Sequence, residues 1–171
     1  MKKIIGFIFI FMLVLISCDN TISVTFDMDE FNTQRAAWEA SGMKNYSYVH
    51  YSVSDANPSL YLNVDVSGDD AKVTEKYTGK RWTLYPEEYT IDRLYNSILH
   101  LYNEYNGMKK PACEVYAYYD DIEVTYDKDL HIPIKIYAMS KFGNETTCNG
   151  IVGFWPYHVE VQNFQVKKLN P

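Results

Sequence analysis

The sequence predicts an α+β domain, a single antiparallel sheet with two helices packed on one of its faces. The expected order is helix, three strands, helix, then three or four strands. Two observations carry this expectation. Segments 29–41 and 90–106 place apolar residues at helical spacing. The stretches between and after them alternate apolar and polar residues and are separated by turn-forming clusters.

Residues 29–41 (DEFNTQRAAWEAS) put Phe31 and Trp38 on one helical face with Ala37 beside them, and Gly42 supplies a stop past the C-cap. Residues 46–54 (YSYVHYSVS) alternate and are rich in Tyr and Val, which favours a strand. Leu60, Leu62, Val64 and Val66 alternate with Tyr61, Asn63 and Asp65, so this strand has one buried face. The turn signal SGDD at 67–70 returns the chain as a hairpin partner over 71–77. Thr90 caps the stronger helix; Ile91, Leu94, Tyr95, Ile98, Tyr102 and Tyr105 form its apolar stripe, and Gly107 ends it. Segments 115–119, 122–126 and 132–139 read as strands, the last two joined by a hairpin loop within DKDLHIP (127–133). The last strand, 157–166, changes apolar parity between Val161 and Phe164, which predicts a bulge near Asn163.

The extreme N-terminus reads differently. Lys2 and Lys3 precede an apolar run from Ile4 to Ile16, too short to span a bilayer but of secretory-signal length. Leu15-Ile16-Ser17-Cys18 resembles the bacterial lipobox. That resemblance implies a signal peptide over 1–17, diacylglycerol transfer to the Cys18 thiol, cleavage before it, and acyl chains such as palmitate as a membrane anchor. Two or more chains hold a protein durably at a membrane it does not span. Residues 18–30 read as the lipidated cysteine and a polar, acidic tether, and 31–171 as one domain.

Loss of Lys2 and Lys3 leaves 14 basic against 22 acidic side chains, a net charge of −8. Such a balance argues against nucleic acid and against electrostatic attraction to anionic lipid. With Cys18 acylated, Cys113 and Cys148 form an even pair. An oxidising compartment permits a disulfide between them, and two free thiols are the alternative. A metal site built from both thiols and His131 matches no zinc-ligand spacing, and no cofactor is expected.

From Trp38 to Tyr48 the chain reads WEASGMKNYSY. This stretch resembles the opening of a bacterial family of exported proteins and lipoproteins, domain of unknown function sixty-one seventy-four. Later matches follow in order: Val66 with Gly68, Thr90-Ile91-Asp92 with Leu94, Val124 with Tyr126-Asp127 and Pro133, and Asn163-Phe164. The similarity spans about residues 31–166. Cysteines that many members carry after the first strand are replaced here by SDANPSLYL. The resemblance implies a fold and an exported location and supplies no activity.

No catalytic motif emerges. His50, His100, His131 and His158 are scattered, and Asp127-Lys128-Asp129 lacks the glycine and distal glutamate of a calcium loop. His158 and Glu160 share one strand face, too few ligands for a metal, while the neighbours Asp120 and Asp121 face opposite sides of a strand. The 16 tyrosines favour strands and exposed sheet faces, which reads either as a β-rich extracytoplasmic surface or as an aromatic platform for a sugar or a protein partner. The expectation is therefore a lipid-anchored module of the cell envelope, on the periplasmic or cell-surface side. It binds an envelope protein or carbohydrate through Tyr46, Tyr48 and Tyr61. An envelope hydrolase assembled from His50, His131, His158, Asp120 and Asp121 is the alternative, and a purely structural envelope protein a third possibility.

Overall fold

The structure, a computed structural model, describes residues 21–54, 57–109, 118–141 and 156–167. The apolar leader, Cys18, Cys113, Cys148 and the start of the strand expected at 115–119 lie outside the described residues. Among the described residues two α-helices, α1 (Met28–Ser41) and α2 (Ile91–Tyr105), accompany seven strands: β1 (Asn45–Ser54), β2 (Asn57–Ser67), β3 (Asp70–Glu75), β4 (Arg81–Trp82), β5 (Tyr118–Asp127), β6 (Ile132–Lys141) and β7 (Tyr157–Val166). The strands form one antiparallel sheet in the order β4-β3-β2-β1-β7-β6-β5. The first and last long strands thus pair at its centre.

Register follows the apolar pattern. Tyr46, Tyr48 and His50 of β1 pair with Val66, Val64 and Leu62 of β2, so all six project to one face. Val159 and Val161 of β7 and Ile136 of β6 continue that face across the sheet. Both helices lie on it. Phe31 and Trp38 from α1, and Ile91, Leu94, Tyr95 and Ile98 from α2, are buried in the same core cluster as Leu62, Val64, Val66 and Ile136. Local caps fix where the helices begin. The Asp27 carboxylate accepts from the Glu30 N–H at 2.9 Å, and the Thr90 hydroxyl accepts from the Arg93 N–H at 3.3 Å. Gly42, at φ 60°, ends α1 in the left-handed conformation that a Cβ disfavours.

The bulge in β7 is present. Ser47 pairs with Gln165 and Val49 with Gln162, so β7 supplies one residue more than β1 over this interval. Asn163 absorbs the difference at φ 54°. Past the bulge Phe164 reaches the helix side and stacks on Tyr46, centroids 5.3 Å apart.

The structure departs from the sequence reading in three places. β5 is one strand from Tyr118 in place of two short ones; its register slips between Tyr119 and Asp121, and that extra residue interrupts the alternation. The two-residue β4 and a single 3-10 turn over Pro86–Tyr89 carry no periodic signal. The third departure is the tether, of which everything from Thr21 onward is docked. Ile22 and Val24 are buried beside Leu101, Tyr118 and Ile122. The Ile22 N–H donates to Met108 O at 2.8 Å, the Gly107 N–H to Ile22 O at 2.8 Å, the Thr25 N–H to Asp120 O at 2.7 Å, and the Ile122 N–H to Thr25 O at 3.0 Å. Residues 21–25 therefore bridge the stretch after α2, at Gly107–Lys109, to the edge strand β5. The alternation of Ile22 and Val24 with Thr21, Ser23 and Thr25 is a strand pattern embedded in polar sequence.

Candidate functional site

The face of the sheet opposite the helices carries a continuous strip of rings. Tyr61 of β2 lies across from Tyr51 of β1, with ring centroids 4.6 Å apart. Tyr77, just past β3, meets Tyr61 edge-on at 5.5 Å. On the other side His158 of β7 meets Tyr51 at 5.6 Å and Tyr137 of β6 at 5.9 Å, both edge-on. The order Tyr77, Tyr61, Tyr51, His158, Tyr137 is thus one chain of ring contacts crossing four adjacent strands from the end of a fifth. Cross-strand pairing explains it, because side chains directly opposite on neighbouring strands sit within contact distance.

Charged and amide groups border the strip. Lys76 Nζ lies 5.5 Å from the Tyr61 centroid and 5.8 Å from that of Tyr77, while Lys135 Nζ lies 5.8 Å from that of Tyr137. His158, Glu160 and Gln162 alternate along β7 and so share the open face. His158 Nε2 donates to Glu160 Oε1 at 2.9 Å, and Gln162 Nε2 donates to Glu160 Oε2 at 2.7 Å. One carboxylate thereby orients a ring and an amide. Towards the far end of the same face a depression of about 250 Å³ is lined by Ser47, Val49, Asn63, Asp65, Asn163 and Gln165. Rings at one end, with a hydroxyl, amides and a carboxylate at the other, suit a polar chain that also has flat apolar faces.

Of the tyrosines expected to form a contact face, only Tyr61 lies on this surface. Tyr46 and Tyr48 are 1% and 3% exposed under the helices, a correction with a plain cause. They share the parity of His50 and pair with the aliphatic residues of β2, so they belong to the core face. Burial pushes the Tyr46 phenol up to about 12 and the Tyr48 phenol well above its ordinary value. Both keep hydrogen bonds. The Tyr46 hydroxyl accepts from the Ile91 N–H at 3.0 Å, and the Tyr48 hydroxyl donates to Tyr89 O.

The groups of the hydrolase alternative are not brought together. His50 is 4% exposed on the core face, against the rings of Tyr48 and Tyr89. His131 sits in the β5–β6 turn, where its Nδ1 donates to Gln34 Oε1 at 2.9 Å. His158 is on the open face, and Asp120 and Asp121 are on edge strand β5. Among the described residues no group of three or more His, Cys, Asp or Glu is placed to hold a metal. Tyr51, Tyr77 and Tyr137 are members of the strip that sequence reasoning missed. Tyr51 carried a usable signal, its parity opposite to Tyr46 and Tyr48, but the pairing with Tyr61 needed the strand register.

Trp38, Tyr46, Thr90 and Asp92 have a shared structural role. Trp38 Nε1 donates to Asp92 Oδ1 at 2.9 Å, the Tyr46 hydroxyl satisfies the Ile91 N–H, and Thr90 caps the same turn. Trp38 and Tyr46 also meet edge-on at 5.6 Å. These residues of α1, β1 and α2 together fix the first turn of α2 on the sheet, where its unpaired N–H groups need partners. No known family model matches this chain, and neither the curated proteins nor the solved structures contain a significant match.

Proposed function

We propose that the protein is a lipid-anchored, extracytoplasmic binding module of the bacterial cell envelope, held by acylated Cys18, that takes a carbohydrate chain on the open face of its sheet. The observation that carries this reading is the ring strip from Tyr77 to Tyr137, bordered by the Glu160-oriented pair His158 and Gln162. Aromatic surfaces contribute large contact area at small entropic cost and dominate binding where a few fixed polar groups set orientation. Saccharide rings offer both apolar C–H faces and hydroxyls for such groups. The lipobox and the even cysteine pair support the envelope location. Among the described residues no helix is long and apolar enough to cross a membrane.

The test is co-sedimentation of the lipid-free chain from Asp19 onward with insoluble peptidoglycan, followed by amide-shift mapping with soluble fragments. The reading expects binding, shifts centred on Tyr51, Tyr61 and His158, and at least tenfold weaker binding for Tyr61→Ala. Binding that ignores this substitution, or shifts confined to α1 and α2, would overturn it. Absence of peptidoglycan binding alongside a purified envelope protein that does bind through Tyr61 would replace the carbohydrate by a protein.

A further inference from the structure

The docked segment has a consequence for how an anchored molecule stands on its membrane. A free stretch from Cys18 to Glu30 would reach about 40 Å at full extension. The structure removes most of that reach, because Thr21 already bridges to Lys109, and the next residue is 1% exposed. Only three residue steps separate Cys18 from Thr21, a span of at most about 11 Å.

The direction of the segment decides which end is held. Thr25 pairs with Asp121 in parallel, so moving back towards Thr21 leads past the start of β5. There it meets the end of α2, where Ile22 bonds to Gly107 and Met108. Because the sheet is antiparallel, the same end holds the finish of β1, the start of β2, the finish of β3 and the start of β7. Tyr105, Met108, Lys109 and Tyr119 crowd this end, with the Tyr105 and Tyr119 rings edge-on at 5.3 Å and Lys109 exposed. Tyrosines with a neighbouring lysine suit the headgroup region, where a ring needs both an apolar and a wet side. The opposite end, at the Gly68 turn, lies about 30 Å away along the ten-residue β1.

We infer that residues 21–25 clamp the domain to its own anchor, so that the end bearing Tyr105, Met108, Lys109 and Tyr119 rests on the bilayer surface. This rests on the acylation of Cys18. The strip shares that end: Tyr51 is three residues from the finish of β1, His158 is the second residue of β7, and Tyr77 follows the finish of β3. The ligand of the open face is therefore met next to the membrane and not at a distance from it.

The experiment places the full mature lipoprotein in phosphatidylethanolamine–phosphatidylglycerol nanodiscs that contain a gadolinium-chelating lipid, and reads amide-signal attenuation by NMR. The expected result is at least threefold stronger attenuation at 105–109 and 119–121 than at 67–70. Twelve Gly/Ser residues inserted between Asn20 and Thr21 should abolish the contrast while the protein stays on the discs. Equal attenuation at both ends of disc-bound wild-type protein would overturn the clamp and leave the anchor standing. Failure of the wild-type chain to associate with discs would remove the anchor, and this inference with it.

Discussion

Acidification from pH 7 to pH 4 should destabilise the domain through His50, and the size of the effect follows from the ring's surroundings. His50 is 4% exposed, and its Nδ1 has no hydrogen-bond partner among the described residues. The rings of Tyr48 and Tyr89 face it, their centroids 6.5 and 5.0 Å away. Burial pushes both phenols up, so neither titrates in this range. Burial also lowers the His50 pKa from 6.5 to about 4. The folded state thus binds fewer protons than the unfolded chain between those values, and stability falls as pH falls. The contribution is complete above the unfolded pKa, fades as the pH drops from 6.5 towards 4, and levels off below that. At 1.36 kcal/mol per pKa unit the loss is about 3 kcal/mol, a large part of the roughly 5–15 kcal/mol of a typical domain. Carboxylates titrate in the same window, so the comparison must be with His50→Phe, which keeps a ring in the site and removes the titration. Urea unfolding of both proteins at pH 7.5, 5.5 and 4 gives two stability curves. Their difference should grow by about 3 kcal/mol towards acid. Parallel curves would refute the reasoning, because the ring would then be protonated without penalty in the fold.

Other substitutions separate the two faces and the two ends of the sheet. Leu62→Ala, at a fully buried position, should cost about 2–5 kcal/mol in chemical denaturation. The adjacent Tyr61→Ala should cost only about 1 kcal/mol, the worth of its ring contacts. Equal losses would mean that the open face is covered. Tyr46→Phe leaves the buried Ile91 N–H without its acceptor and should cost about 1–3 kcal/mol; an unchanged melting temperature would show that the hydroxyl does not hold the start of α2. Ile22→Asp should release residues 21–25, and hydrogen exchange should then rise at the Ile122 amide while the Leu62 amide stays protected. Protection unchanged at Ile122 would contradict the docking of this segment.

Much of the fold was legible because each long element carries its own period. The alternation at 60–66 set which side of β2 is buried, and the parity change between Val161 and Phe164 located the bulge at Asn163. Short elements were not legible, since a two-residue strand such as β4 has no period to read. The contact face was only partly legible. Tyrosine content drew attention to an aromatic surface, but which parity of β1, that of Tyr46 and Tyr48 or that of Tyr51, faces the core is settled only when β1 is paired with β2. A tyrosine can end in the core when its hydroxyl finds a partner, and both of these do. The docked segment at 21–25 was hidden by its polar flanks, although Ile22 and Val24 were the two apolar residues that marked it.

The state of Cys18 underlies both the proposed function and the membrane-facing end. Intact-mass spectrometry of the membrane-fraction protein, with Cys18→Ser in parallel, tests it directly. The wild-type chain should begin at Cys18 and be heavier by a diacylglycerol with its fatty acids. The Cys18→Ser chain should carry no lipid and should not be retained on membranes as a processed form. A wild-type chain cut elsewhere, or one without lipid, would contradict it.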